Sequence, residues 1–223
     1  MRTTRRSTLA ALGGTIALST TAGCLGGSGG GSFPSDCDGT EVETVNSLPR
    51  PALGPEDASV TVDVFEDFAC GHCATFTNDV YPQIESTYIE PGEIRYRYFD
   101  YPIPVDENWS WRAASAARAV QDRTDAETFF SFAKGIYEQQ SRLIEDGYQF
   151  IREVADDNGV DGCTVATAAK EEAYREVVEA DKQTGDDRGV PGTPAVFVDG
   201  ELLENYAWDT VSAAIDGQLA DTN

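Results

Sequence analysis

Apolar side chains recur along this chain with two different periods. Val60, Val62 and Val64 alternate with Thr61 and Asp63 ahead of Phe65, a period of two that predicts a buried strand. From Cys70 to about Tyr88 the spacing changes. Phe76, Val80, Ile84 and Tyr88 fall on one helix face, with Pro82 inside the run predicting a kink or a local break. Pro91-Gly92 turns the chain into a second strand, Glu93–Phe99. Strand, helix and strand in that order imply a right-handed crossover and a parallel pair.

From about Asn108 to Asp181 the pattern becomes helical and stays so. Four stripes can be followed: Trp109 to Val120, Phe129 to Tyr137, Phe150 to Ala155, and Val165 through Ala168, Ala169 and Tyr174 to Val177. They read as a helical core. Pro194 then opens a last apolar strand, Asp199-Gly200 marks a hairpin turn, and the return strand is short. A final helix is expected from Asp209, as its N-cap, to Leu219, with Val211, Ala214 and Ile215 facing inward. The order βαβ, helical insertion, ββα predicts an α/β fold with a mixed sheet. The expected organisation is a folded unit over 58–223, with the insertion at about 106–183.

The stretch before that unit has no such periodicity. Arg2, Arg5 and Arg6 precede a short apolar run, Leu9–Leu18, which is too short and too polar to span a bilayer permanently. Paired Arg5-Arg6 fits a twin-arginine export signal, and the small residues before Cys24 look like a lipoprotein cleavage box. Residues 1–23 are thus expected to be a signal peptide, and Cys24 a lipid-bearing N-terminus that attaches the protein to the outer side of the cell membrane. Residues 24–57 continue as a Gly/Ser tether and a lead-in loop with four prolines and one short strand near Val42–Val45.

Composition narrows the function. The 223 residues carry a formal charge of −23, which argues against a nucleic-acid surface, since phosphate contacts need a basic patch. The acidic excess is spread along the whole chain, as on proteins from very salty surroundings, where screening makes the self-repulsion tolerable.

The candidate chemistry lies at the first strand-to-helix junction, Cys70-Gly71-His72-Cys73. A sulfur at a helix N-terminus meets unpaired N–H groups and the positive end of the helix dipole, which favour a thiolate. His72, the only histidine, lies between the two cysteines and can add positive charge beside Cys70. A zinc site would need more ligands than the scattered Cys24, Cys37 and Cys163 offer. Haem attachment needs a histidine directly after the second cysteine, where Ala74 stands. A redox-active dithiol is the favoured reading, with Cys70 as nucleophile, Cys73 as resolving thiol and His72 as electrostatic stabiliser; no cofactor or metal is called for. Cys37 and Cys163 then remain as a candidate structural disulfide.

Cys70-Gly71-His72-Cys73 after a strand, with Gly192-Thr193-Pro194 opening a late strand, resembles the thioredoxin fold. The helical insertion between the two halves is similar to that of the DsbA-like thiol–disulfide oxidoreductases, and with the leader and the acidic composition the expectation is an exported lipoprotein of a halophilic archaeon. The resemblance implies that Pro194 follows a cis peptide bond beside the active disulfide. Thr193 and Pro194 would then meet an extended substrate segment. It further implies that the protein donates disulfides to the thiols of exported proteins and is reoxidised by a membrane redox partner. A reductase or isomerase on the same scaffold, or a peptide-binding lipoprotein, are the rival readings. Members of that family carry a buried acid six residues before the first cysteine; here Val64 stands there, leaving Glu66 or Asp67 as its substitute.

Overall fold

The computed structural model describes residues 31–222. The expected signal peptide (1–23), the lipidation site Cys24 and the start of the tether lie outside them. Among the described residues, no helix is long and apolar enough to cross a membrane.

Five strands form one mixed sheet: β1 (Ala52–Leu53), β2 (Val60–Glu66), β3 (Ile94–Asp100), β4 (Ala195–Val198) and β5 (Glu201–Leu202), in the order β1-β3-β2-β4-β5. The central pair β2 and β3 is parallel, as the crossover requires, with Val64 opposite Tyr98 and Glu66 opposite Asp100. The other pairings are antiparallel. The expected strand near Val42–Val45 does not form. Its residues instead lie on the helices, where Val45 N–H donates to the Ala173 carbonyl at 2.9 Å; the short extra strand is β1.

Strand alternation divides the core. Val60, Val62, Val64, Tyr96, Tyr98, Val196 and Val198 join the main apolar cluster, which covers one sheet face with α1 (71–89), the insertion and α7 (Trp208–Asp221). Phe65, Phe99 and Phe197 point the other way into a smaller cluster with Tyr101 and Val190. Asp63 lies on that second face as alternation predicts, paired with Arg97 at 2.6 Å and Arg188 at 2.7 Å.

Helix α1 is continuous, but π-turns at Phe76–Val80 and Glu85–Ile89 flank Tyr81–Ile84. Proline lacks an N–H and crowds the carbonyl four residues back, so the wider turn takes up Pro82 without a break. The insertion comprises α2 (Trp109–Arg123), α3 (Ala126–Glu138), α4 (Arg142–Asp157), α5 (Gly162–Glu171) and α6 (Arg175–Asp187). The fourth apolar stripe therefore spans two helices, because Glu172 adopts a left-handed conformation and ends α5. Helix α6 runs past the expected boundary and packs on β3. At Gly185 a Cβ would come within 2.5 Å of the Tyr101 ring, so this close approach needs glycine. Helix α7 starts at Trp208 with Ala207 as N-cap, which places Asp209 in its first turn instead of at its cap.

Two connections fasten the insertion. Cys37 and Cys163 form a disulfide across 126 residues of sequence, joining the lead-in segment to α5. Arg118, fully buried on α2, donates to Asp100 at 2.6 Å and to Asp181 at 2.5 Å, tying α2 and α6 to the end of β3.

Candidate active site

The end of the central strand, the start of α1 and the turn before β4 converge on one pair of sulfurs. After Glu66 the chain makes a tight turn, Cys70 N–H donating to the Asp67 carbonyl at 3.0 Å. The Asp67 carboxylate fixes the turn from inside by accepting from Ala69 N–H and from Ile103 N–H, both at 2.8 Å. Cys70 is the N-cap of α1, with extended backbone, and its carbonyl accepts from Cys73 N–H at 3.0 Å and Ala74 N–H at 3.2 Å.

The two thiols, both free, sit in unequal surroundings. Cys70 is lowered from the usual thiol range to about 5. The Cys73 thiol donating to it is the largest cause; burial opposes this, and the Thr193 side chain and the main-chain N–H groups of Cys73 and His72 add to it. Thr193 Oγ1 is buried with no other hydrogen-bond partner among the described residues, and the Thr193 carbonyl lies 3.5 Å from Cys70 Sγ. Cys73 is fully buried and moves the opposite way. Desolvation first, then the Cys70 sulfur and the Glu66 charge, push its thiol well above the usual range, against one N–H···S bond from Asp67 at 3.4 Å. Cys70, 4% exposed, is the more accessible of the two.

His72 was expected to stabilise the Cys70 thiolate through its imidazole. Its ring is exposed and its Nδ1 pairs with the Tyr206 hydroxyl at 2.9 Å. The residue's contribution to the Cys70 sulfur comes through its main-chain N–H.

Thr193-Pro194 is a cis peptide bond. It borders a groove of about 300 Å³ that runs from Pro191 past Leu202 to Tyr206. Val64 is apolar and fully buried. The acid stands two residues later on the same sheet face. Glu66 accepts from Thr77 Oγ1 at 3.0 Å, and burial raises its carboxyl to about 8. Asp67, whose carboxylate keeps two N–H donors, is raised by burial only to about 6. Of the two substitutes left open by the sequence, Glu66 is the one two residues along β2 from Val64, on the same face.

Gln140 was not legible in the sequence. From the turn between α3 and α4 its Nε2 donates to the carbonyls of Phe68 at 2.7 Å and Cys70 at 2.9 Å. Tyr206 was likewise missed; it lies beyond the hairpin, and only the folded chain brings it to His72.

The thioredoxin family model matches residues 46–217. Disulfide bond formation protein D of Bacillus subtilis is 24% identical over 174 residues, covering 76% of this chain and 77% of that protein. The crystal structure of oxidised BdbD from Bacillus subtilis superposes with a TM-score of 0.70 at 24% identity, over 80% of this chain and 100% of that one. Chlamydia trachomatis DsbA superposes with a TM-score of 0.67 at 18% identity, over 82% and 99%.

Proposed function

The chain belongs to the thioredoxin family, and from that premise we propose that it is a thiol–disulfide oxidoreductase that donates its Cys70–Cys73 disulfide to exported proteins. The observation that carries this reading is the split between the two sulfurs, Cys70 lowered to about 5 and Cys73 raised. Stabilising the Cys70 thiolate stabilises the reduced protein, and so makes the disulfide the better oxidant.

In the oxidising direction a substrate thiolate attacks Cys70 Sγ and the bond to Cys73 breaks. The Cys73 sulfur leaves with the electron pair and takes a proton from Glu66, whose carboxyl is still protonated at neutral pH. A second substrate thiolate attacks the substrate sulfur of the mixed disulfide and releases Cys70 as a thiolate. Two electrons have then passed from substrate to enzyme. A membrane redox partner takes them back: Cys70 attacks its disulfide, Glu66 accepts the Cys73 proton, and Cys73 closes on Cys70.

Thr193 and the groove beside Pro194 are suited to an extended substrate segment. Leu202, exposed on that groove, offers it an apolar contact. Ile144, exposed one turn beyond Gln140, and Val105, exposed in the loop that carries Ile103, suit the apolar side chains of a chain not yet folded. The leader at 1–23 and a lipidated Cys24 would place this chemistry outside the cytoplasm at the membrane, and the acidic surface suits high salt.

The test is the reduction potential of the Cys70/Cys73 pair in high salt, with a Cys73→Ser variant used to trap mixed disulfides. A potential above about −180 mV and trapped exported proteins fit a donor; a value near about −270 mV would make it a reductase. If the protein's only demonstrable activity were peptide binding or holdase activity, and a Cys70→Ser variant kept it in full, a peptide-binding module would remain.

A further inference from the structure

Once Glu66 has given its proton to Cys73, a carboxyl raised to about 8 is reprotonated at neutral pH. It must lose that proton again before it can accept the one from Cys73. It therefore exchanges protons with water, yet Glu66 is 3% exposed. Glu66 faces a small cavity of about 10 Å³, walled also by Thr77, Tyr81, Tyr96, Tyr98 and Tyr137, which is about the room one water needs. Three of these tyrosines offer no way out. Tyr96 and Tyr98 are 1% exposed and Tyr137 2%, and the hydroxyls of Tyr98 and Tyr137 bond each other at 3.1 Å. Tyr81 differs. Its hydroxyl donates to Glu85 Oε1 at 3.0 Å, and it also lines an outer pocket of about 240 Å³ with Glu85, Glu127 and Lys134. Phe130 is the other residue common to both walls, and it has no proton to exchange.

Resting on the reading of Glu66 as the acid that serves Cys73, we propose that Tyr81 and Glu85 form its proton exit. A water in the cavity takes the proton from Glu66 and gives one to the Tyr81 oxygen, while the Tyr81 hydroxyl proton passes to the Glu85 carboxylate and on to the solvent of the outer pocket. One proton leaves per passage, no electron moves, and Tyr81 ends neutral as it began. Rotation of the hydroxyl runs the path inward. Burial and the Glu85 charge push the Tyr81 hydroxyl above the usual tyrosine range, so it acts as a relay of hydroxyls and not as a tyrosinate. The charged and titratable groups facing the path are Cys70, Cys73 and Asp100 around Glu66, and Glu127 and Lys134 of α3 across from Glu85.

The experiment follows closure of Cys73 on Cys70 during oxidation by glutathione disulfide, from pH 5 to 9, in H₂O and D₂O. The wild type is compared with Y81F, E85Q and E66Q. Y81F is expected to close about a hundredfold more slowly near pH 7, the low end of what a positioned proton-transfer group contributes. Its solvent isotope effect should change, with the Cys70 alkylation profile unaltered. E85Q should shift in the same direction by less. If E66Q is slow while Y81F and E85Q match the wild type, the exit lies elsewhere and the role of Glu66 stands. If E66Q also matches, both readings fall. A slow Y81F with the wild-type isotope effect and pH profile marks a packing defect and likewise overturns the relay.

Discussion

Gln140 Nε2 donates to the Cys70 carbonyl at 2.9 Å, so a side chain of the helical insertion holds the residue that caps the active-site helix. The same amide grips the Phe68 carbonyl two residues earlier. The insertion is thus part of the site, because it fixes the loop whose N–H groups face the sulfur. Replacing Gln140 by Ala leaves two backbone acceptors without this donor. It should cost about 1–3 kcal/mol of stability and raise the Cys70 thiol from its low value. Thermal unfolding and the pH profile of alkylation measure the two effects separately.

Glu66 makes stability fall as pH rises. In the unfolded chain its carboxyl ionises near 4.5, whereas in the folded protein it keeps its proton to about 8. Between those values the folded state binds the extra proton, so stability declines across that window and the loss is complete above about 8. Comparing E66Q with the wild-type Glu66, both in a C70S/C73S background, removes the cysteine contributions, which the Glu66 charge would otherwise alter. The variant should gain on the wild type by a few kcal/mol between pH 5 and pH 8, as read by denaturant unfolding at each pH.

Cys70 acts in the opposite sense. Its folded value of about 5 lies below the ordinary 9, so its stabilisation of the reduced protein is complete above 9 and is lost as pH falls through 5. Reduced wild type measured against reduced C70S should therefore gain stability as pH rises from 5 to 9. Every tenfold by which folding strengthens the thiol as an acid is worth about 1.4 kcal/mol. A flat difference across that range would show that the sulfur is not held as a thiolate.

Arg118 lies buried between Asp100 and Asp181. Arg118→Leu would leave two carboxylates in the interior without their shared partner, at a cost of about 3–5 kcal/mol. Burial already raises Asp100 to about 6 despite the arginine. The penalty should shrink as pH drops below 6 and Asp100 becomes neutral, which urea melts at pH 5 and pH 8 would reveal.

Cys37 and Cys163 close a loop of 126 residues. Replacing both by Ser should remove about 2–5 kcal/mol while leaving the potential of the Cys70/Cys73 pair unchanged, since the bond lies at the far end of the lead-in segment. Calorimetry and a glutathione redox titration of the same sample separate the two outcomes.

Much of the fold and the identity of the reacting atoms were legible in the residue order. Alternation in β2, helical spacing from Cys70 and the Pro194 strand are local signals, because side-chain direction repeats every two residues in a strand and about every three and a half in a helix. They were enough for the parallel pair and the placement of Cys70 at a helix start. Local signals failed where a distant contact outweighed them. Val42–Val45 reads as a strand but bonds to Ala173, and the stripe from Val165 to Val177 reads as one helix but is broken at Glu172.

Tertiary structure alone decided how the sulfurs behave. A thiol's acidity depends on which donors and charges surround it, and those around Cys70 and Cys73 come from Thr193 and Glu66 as well as from their own helix. It turned His72 toward Tyr206, brought Gln140 to the loop and joined Cys37 to Cys163. The sequence determined which atoms can exchange electrons, because that is a property of residue type and short spacing. Folding determined how strongly each sulfur holds its proton, because an electrostatic environment is assembled from segments far apart in the chain.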